Sequence, residues 1–140
     1  MADDMTKAQP AAGVALTALA ALLIAGVSVF AAPCDAHGAD EPMSCLWASR
    51  AVLAIGAVAA VIAIVRIFER DEGERRGLSF SCALLGFLAA AIPGPIIALC
   101  ADASMSCNTA MRPFVLVVGL AIGLTGAVDL TRRLLALRRR

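Results

Sequence analysis

Residues 34–50 read CDAHGADEPMSCLWASR, a polar stretch with two cysteines that lies between two long apolar runs. A second polar stretch, CADASMSCNTAMR, occupies residues 100–112 and again separates two apolar runs. Both contain Met-Ser-Cys, at positions 62 residues apart, and in both an arginine (Arg50 or Arg112) follows after four further residues. The repeat predicts two helical hairpins, each with a cysteine-containing loop at its tip.

The composition is that of a membrane protein. Of the 140 residues, 61% are hydrophobic and 16% are charged, and the mean hydropathy is +0.86. A soluble protein of 14.3 kDa has too much surface for its volume to hide that much apolar area, so lipid must cover it. The net charge of +1, the absence of Tyr and the 4% of aromatic residues give no indication of nucleic-acid binding.

Four apolar runs are long enough to be transmembrane helices, since about 20 apolar residues cross a hydrocarbon core of about 30 Å. The first has no charge across 22 residues. It exceeds the roughly 7–15 residues of a signal-peptide core, which favours a retained helix over a cleaved signal. In the third run Pro93 and Pro95 flank Gly94 and predict a kink or break. The predicted segments are a cytoplasmic tail at 1–10, transmembrane helices at 11–32, 51–68, 78–99 (kinked at 93–95) and 114–130, extracytoplasmic cysteine loops at 33–50 and 100–113, a cytoplasmic loop at 69–77 and a basic cytoplasmic tail at 131–140.

The positive charges predict the orientation. With both termini in the cytoplasm, ten lysine and arginine residues lie inside and two, Arg50 and Arg112, lie outside. We therefore expect an all-α membrane fold, a four-transmembrane-helix bundle built from two helical hairpins, N-in and C-in, with disulfide-bonded outer loops. An axis along the membrane normal should relate the two hairpins.

Four of the five cysteines fall in the outer loops, where oxidising conditions favour disulfides over thiols. Four cysteines allow three pairings. We favour pairing within each loop, Cys34 with Cys45 and Cys100 with Cys107, because each disulfide closes a short loop at a hairpin tip. Pairing between the loops is the main alternative. The fifth cysteine, Cys82, fits a small buried apolar residue in the third helix.

The same cysteines raise the alternative of a four-helix membrane thiol–disulfide oxidoreductase, which passes electrons from a partner's dithiol to a quinone. Reactive cysteines of this kind most often form Cys-x-x-Cys, which stabilises a thiolate. Here the spacings are Cys-x10-Cys and Cys-x6-Cys, which favours structural disulfides. His37 is the only histidine, and its surroundings lack the closely spaced pairs of a zinc site, so we predict a solvated loop residue and no metal site.

A small transporter or pore is a third class. Proton-coupled exporters need an ionisable group in mid-membrane, whereas Arg66 and Asp129 both lie near the inner ends of their helices. We expect Arg66 to extend its side chain to the interface, as long basic side chains do. The sequence has no nucleotide-binding glycine loop, nucleophile elbow or metalloprotease motif, so no catalytic residue and no cofactor are predicted.

Three residues are typical of helix ends at a membrane surface. Trp47 is expected at the outer interface, where an indole anchors a helix end. Arg50 and Arg112 begin the second and fourth spans at equivalent positions, and either loop groups or lipid headgroups would suit them as partners.

Small residues and basic residues mark the fourth helix. Gly119, Gly123 and Gly126 give it a smooth face for close packing, which leaves a homo-oligomer open without requiring one. Its arginine-rich C-terminal end suits anionic inner-leaflet lipids or an acidic partner, and a topology signal explains it as well.

Three short segments carry a family resemblance: MSCLWASRA at residues 43–51, IPGPIIALC at residues 92–100 and MSC at residues 105–107. They resemble an uncharacterised bacterial family of small four-span membrane proteins, a domain of unknown function. Its pattern pairs Met-x-Cys-His-Trp after the first span with a Gly/Pro-rich third span that ends in Cys, followed by Met-x-Cys. Leu46 stands where that pattern has His, which favours a structural role for this loop. The resemblance implies a bacterial inner-membrane protein whose relatives accompany transporter ATPases and permeases.

The topology, the missing active-site groups and the resemblance together predict a non-catalytic accessory or docking subunit of a membrane complex. Its expected partners are the lipid bilayer and an ABC-type permease or other membrane protein. The oxidoreductase and the small transporter or pore are the alternatives.

Overall fold

The structure is a computed structural model that describes residues 2–30, 44–98 and 107–138, with side-chain surroundings for 11–29, 46–98 and 108–138. Within these ranges the chain forms α1 (Ala2–Phe30), α2 (Ser44–Phe68), α3 (Glu72–Ala91) and α4 (Arg112–Arg138). A short π-helical turn, Cys107–Met111, leads directly into α4. The described part of the protein is therefore all-α, as the sequence predicts.

The helices pack as a four-helix bundle in which each helix contacts two neighbours: α1 lies against α2 and α4, and α3 lies against α2 and α4. Long apolar helices in an antiparallel bundle bury one face each and leave the other face outward. The buried interior is built from aliphatic side chains of α1, α2 and α4 together with small residues of α3. Its members include Leu16, Leu23, Val27, Val52, Ala63, Ala89, Val115 and Ile122.

The contact between α3 and α4 is a backbone contact through glycines. A Cβ on Gly86 of α3 would overlap the backbone nitrogen of Gly123 in α4. A Cβ on Gly119 would lie 2.8 Å from the nitrogen of Ala90, and one on Gly126 would lie 2.9 Å from the nitrogen of Ala83. The small-residue face of α4 thus packs within the chain, because only residues without a side chain let two helix backbones approach this closely.

Three of the helices are long and apolar enough to cross a membrane: the stretches concerned are Ala11–Val29, Leu46–Phe68 and Asn108–Arg138. Large apolar side chains cover their outward faces, for example Leu22, Val61 and Leu124. Outward apolar surface on several long helices is stable only against lipid, so the protein is a multi-pass membrane protein. Apolar side chains also cover the outward face of α3, although its charged first turns keep it outside this group of three.

The third helix differs from the prediction at both ends. It begins at Glu72, and it ends at Ala91 instead of continuing through a kink to residue 99. The prolines explain the end, since neither has an N–H to donate and Pro95 disfavours helical backbone at the residue before it. Gly94 adopts φ 121°, a left-handed conformation that glycine accepts readily. The turn closes with Ile97 N donating to Ile92 O at 3.0 Å.

The first helix also begins earlier than predicted. Residues 2–10, predicted as a cytoplasmic tail, continue the helical backbone of α1. Of the predicted loops, residues 33–43 and 100–106 lie outside the described residues. Residues 44–50 form the beginning of α2, and residues 107–113 form the π-helical turn and the first residues of α4.

Candidate functional site

The most unusual feature of the bundle is a buried arginine. Arg66 lies in the last turn of α2, and its side chain is only 1% exposed. Its Nε donates to Ser79 Oγ of α3 at 2.8 Å, and its Nη2 donates to Asp129 Oδ2 of α4 at 2.7 Å. The expectation that Arg66 reaches outward to the interface is wrong, because two polar partners hold its guanidinium inside the bundle.

Asp129 is the centre of the network. Its Oδ2 accepts from Arg66 Nη2, from Ser79 Oγ at 2.7 Å and from Arg133 Nε at 2.9 Å. The Ser79 hydroxyl also lies 2.9 Å from Arg75 O, which gives it a second acceptor in the preceding turn of its own helix. A carboxylate that is 12% exposed is stable in such a place only when its charge is paired and hydrogen-bonded.

The network continues to the surface through Arg133. Its Nη1 donates to Glu72 Oε2 at 2.7 Å, and Glu72 is 46% exposed. Arg66, Ser79, Asp129, Arg133 and Glu72, here called the charge cluster, join α2, α3 and α4 at one end of the bundle. Two arginines and two carboxylates make its formal charge zero.

The first helix contributes space to the charge cluster. A Cβ on Gly13 of α1 would lie 3.0 Å from Arg66 Nη1 and 2.7 Å from Ile67 Cγ1. The absence of a side chain at Gly13 therefore lets α1 close over the guanidinium. All four helices meet at this level of the bundle.

The connector between α2 and α3 is held by its own acidic side chains. Asp71 caps α3, because its Oδ1 accepts from Gly73 N at 2.6 Å and from Glu74 N at 3.2 Å. Glu69 Oε1 accepts from the backbone nitrogens of Arg70 and Asp71 at 2.8 and 3.1 Å. These two hydrogen bonds lower the pKa of Glu69, and the bond from the Asp71 backbone has the larger effect. A hydrogen bond with Glu69 raises the pKa of Glu74. The two glutamates thus titrate as a pair.

The three predicted anchor residues lie at the other end of the bundle. Trp47 is more than half exposed, and Arg50 sits over its ring with 5.9 Å between Cζ and the ring centroid. The guanidinium of Arg112 packs on the turn after α3, since a Cβ on Gly94 would lie 3.5 Å from Arg112 Nε. The structure thereby brings together Arg112 and the Pro93–Pro95 turn, which the sequence marked separately.

The predicted disulfides cannot be located. Cys34 and Cys100 lie outside the described residues, as do the side chains of Cys45 and Cys107. The backbone of Cys45 lies in the first turn of α2, and Cys107 begins the π-helical turn before α4. Among the described side chains, Cys82 is a free and buried thiol.

The described residues of the site form ion pairs between arginine and carboxylate side chains. In the charge cluster Asp129 is bonded to two arginines and Glu72 to one. Within the described ranges no group of three or more His, Cys, Asp and Glu side chains is arranged to hold a metal ion. Sequence reasoning missed this cluster. One feature of the sequence could have indicated it, since Arg66 and Asp129 carry opposite charges near the same end of two apolar helices.

Comparison with known proteins gives a family. The model of the family described as "Domain of unknown function (DUF4418)" matches residues 16–131, which include all of α2 and α3, about half of α1 and most of α4. No curated protein and no solved structure matches the chain.

Proposed function

The chain belongs to the DUF4418 family, a domain of unknown function, and from that premise and the geometry above we propose that it is a non-catalytic accessory subunit of a larger membrane complex. The observation that carries this proposal is the charge cluster. Arg66, Asp129 and Arg133 bind one another between the helices, so these ionisable groups fix the bundle and are not free to react with a substrate. A bundle fixed in this way suits a rigid docking element.

The proposed topology has four membrane crossings, with both termini in the cytoplasm. Arg66, Arg70, Arg75 and Arg133 gather at the connector end of the bundle, as the positive-inside rule requires of a cytoplasmic end. The outward apolar face of α3 supports a crossing by α3 and the turn that follows it. Both cysteine loops then lie on the extracytoplasmic side, where disulfides form.

The proposed docking surface is the extracytoplasmic end, and the proposed partner is an ABC-type permease or a similar membrane protein. The resemblance noted in the sequence suggests that partner class. Trp47 and Arg50 are exposed at this end, and large aromatic and arginine side chains are the residues that most often dominate protein interfaces. Disulfides within the two loops would fix the surface before the partner binds.

Co-purification tests the proposal. The tagged full-length chain is expressed from its own locus, extracted in a mild detergent and sized, and the associated proteins are identified by mass spectrometry. We expect a complex much larger than the 14.3 kDa chain and its detergent. The Trp47→Ala, Arg50→Ala double variant should release the partner, whereas Phe68→Ala, an exposed residue at the opposite end, should retain it. A solitary chain recovered from native membranes would contradict the proposal.

A thiol–disulfide oxidoreductase is the second candidate, and one observation favours it. Cys45 and Cys107 each stand where a helix begins, and a helix N-terminus stabilises a thiolate. In that reaction a loop disulfide accepts two electrons from a partner's dithiol through a mixed disulfide. The partner leaves as a disulfide, and a quinone-class acceptor reoxidises the loop. A mixed disulfide trapped after Cys45→Ser or Cys107→Ser would support this candidate.

The transporter or pore gains no such support. Proton coupling needs a carboxylate that can release its partners during the cycle. In the described residues, Asp129 holds two arginines and a serine at 2.7–2.9 Å.

A further inference from the structure

Arg76 differs from three other arginines near the charge cluster. Arg66, Arg75 and Arg133 each pair with a carboxylate, whereas none of the ion pairs among the described residues includes Arg76. Its Nε is buried and has no hydrogen-bond partner within the described part of the bundle. No carboxylate of the described residues thus lies within ion-pair distance of the Arg76 guanidinium.

Arg76 is half-buried, and an apolar stripe follows it along the outward face of α3. Phe80 and Leu84 follow Arg76 at intervals of four residues, which places them on the same face of α3, and they are 51% and 54% exposed. Leu88 continues the stripe one turn further and is 44% exposed.

A cationic side chain followed by a row of apolar side chains is complementary to a phospholipid, which has an anionic phosphate and an apolar acyl chain. We propose that Arg76 binds the phosphate of an anionic phospholipid of the inner leaflet, whose acyl chain lies along Phe80, Leu84 and Leu88. The guanidinium of Arg76 supplies charge-assisted donors to the phosphate oxygens. The stripe supplies the apolar contact that a free phosphate lacks. The inference rests on the crossing of α3 proposed above.

Retention of lipid by the purified protein tests the site. The full-length chain is placed in nanodiscs with equal phosphatidylglycerol and phosphatidylcholine, extracted, and the retained lipids are counted by native mass spectrometry. Wild type should prefer the anionic lipid, and Arg76→Gln should lower that preference about tenfold, because it removes a charge-assisted hydrogen bond to the phosphate. Arg70→Gln removes an equal charge from the exposed connector and should leave the preference unchanged. Equal loss in both variants would show diffuse attraction and overturn the site.

Photolabelling of the wild-type protein gives a test that does not depend on a variant folding. A phosphatidylglycerol probe with a diazirine in its acyl chain should label the peptide that contains Phe80 and Leu84 more strongly than the matching phosphatidylcholine probe. Equal labelling of that peptide by both probes would overturn the site while leaving the crossing of α3 intact. No labelling by either probe would overturn the crossing itself. Millimolar inorganic phosphate should not reduce the labelling. If it does, Arg76 binds a soluble anion and the lipid site is overturned.

Discussion

Arg66 Nη2 lies 2.7 Å from Asp129 Oδ2, across a sequence separation of 63 residues. The pair joins the last turn of α2 to the C-terminal half of α4, so it fixes how the two helices sit against each other. A buried ion pair adds little net stability compared with apolar residues of the same size, but breaking it leaves a buried charge without a partner. We therefore expect the pair to select one arrangement of the helices.

We predict that Asp129→Asn lowers the free energy of unfolding by about 3–5 kcal/mol, because it leaves Arg66 buried without a carboxylate. Unfolding in mixed detergent, followed by circular dichroism, measures the change. The double variant Arg66→Met, Asp129→Leu should be more stable than Asp129→Asn alone, since it removes both buried charges. Arg132→Gln, at an exposed position, should change stability by less than about 0.5 kcal/mol. Equal stability of Asp129→Asn and wild type would mean that the pair does not form.

Two glycines of α3 provide a matched pair of substitutions. Gly86→Ala should destabilise the bundle by about 1–3 kcal/mol, because its methyl group would meet the backbone of α4 at Gly123 and Gly119. Gly77→Ala should stabilise the protein by about 1 kcal/mol, since the methyl group enters open space and alanine favours the helix. Thermal unfolding of both variants in one detergent makes the comparison. Stabilisation by both substitutions would show that α3 and α4 are not in backbone contact.

Gly94 is expected to resist substitution for a different reason. Its φ of 121° is rare for residues with a side chain, so Gly94→Ala should cost about 1–3 kcal/mol although Arg112 leaves room at 3.5 Å. The Arg112→Ala variant removes the packed guanidinium without straining the backbone and should have a smaller effect. If the two variants reverse this order in thermal unfolding, the contact with Arg112 stabilises the turn and the glycine conformation does not.

The apolar runs predicted the helices well because entry into lipid depends on composition and length, which a sequence states directly. The end of α3 was harder to predict from the sequence. Two prolines in an apolar run are compatible with a kink or with a break, and the choice depends on whether the turn finds partners such as Ile97 O for Gly94 N. The charge cluster could not be predicted from the sequence for a similar reason. Arg66 and Asp129 are both visible in the sequence, but only the packing of α2 beside α4 turns an interfacial arginine into a buried one. The glycine spacing of α4 indicated a smooth face, while its partner Gly86 lies on another helix.

The connector should show a paired titration. Hydrogen bonds from the backbone hold the pKa of Glu69 below its ordinary value, so the stability that it contributes is present above that value and is lost as the pH falls through the lowered pKa. The pKa of Glu74 is raised, so its contribution is present at low pH and is lost as the pH rises through the raised pKa. Carboxyl carbon NMR should therefore resolve two steps, with Glu69 titrating first from the acid side. Glu74→Gln should remove the upper step and leave Glu69 titrating below its ordinary range, and two coincident steps in wild type would contradict the pairing.

Thiol labelling in intact cells separates four crossings from three. With four crossings both cysteine loops are extracytoplasmic, so Cys45 and Cys107 should react with an impermeant maleimide after reduction, and only weakly before it. If α3 does not cross, α4 still crosses, and Cys107 then lies on the cytoplasmic side with the connector, out of reach of the reagent. A cysteine introduced at Glu74, which is exposed in the first turn of α3, should label only in inverted vesicles and serves as the inner marker. Cys82 is 1% exposed and should stay unlabelled until the protein is denatured, which makes it the internal control for folding. Labelling of Cys45 without labelling of Cys107 would show that α3 does not cross the membrane. The two cysteine loops would then lie on opposite sides, and the proposed docking surface would not exist.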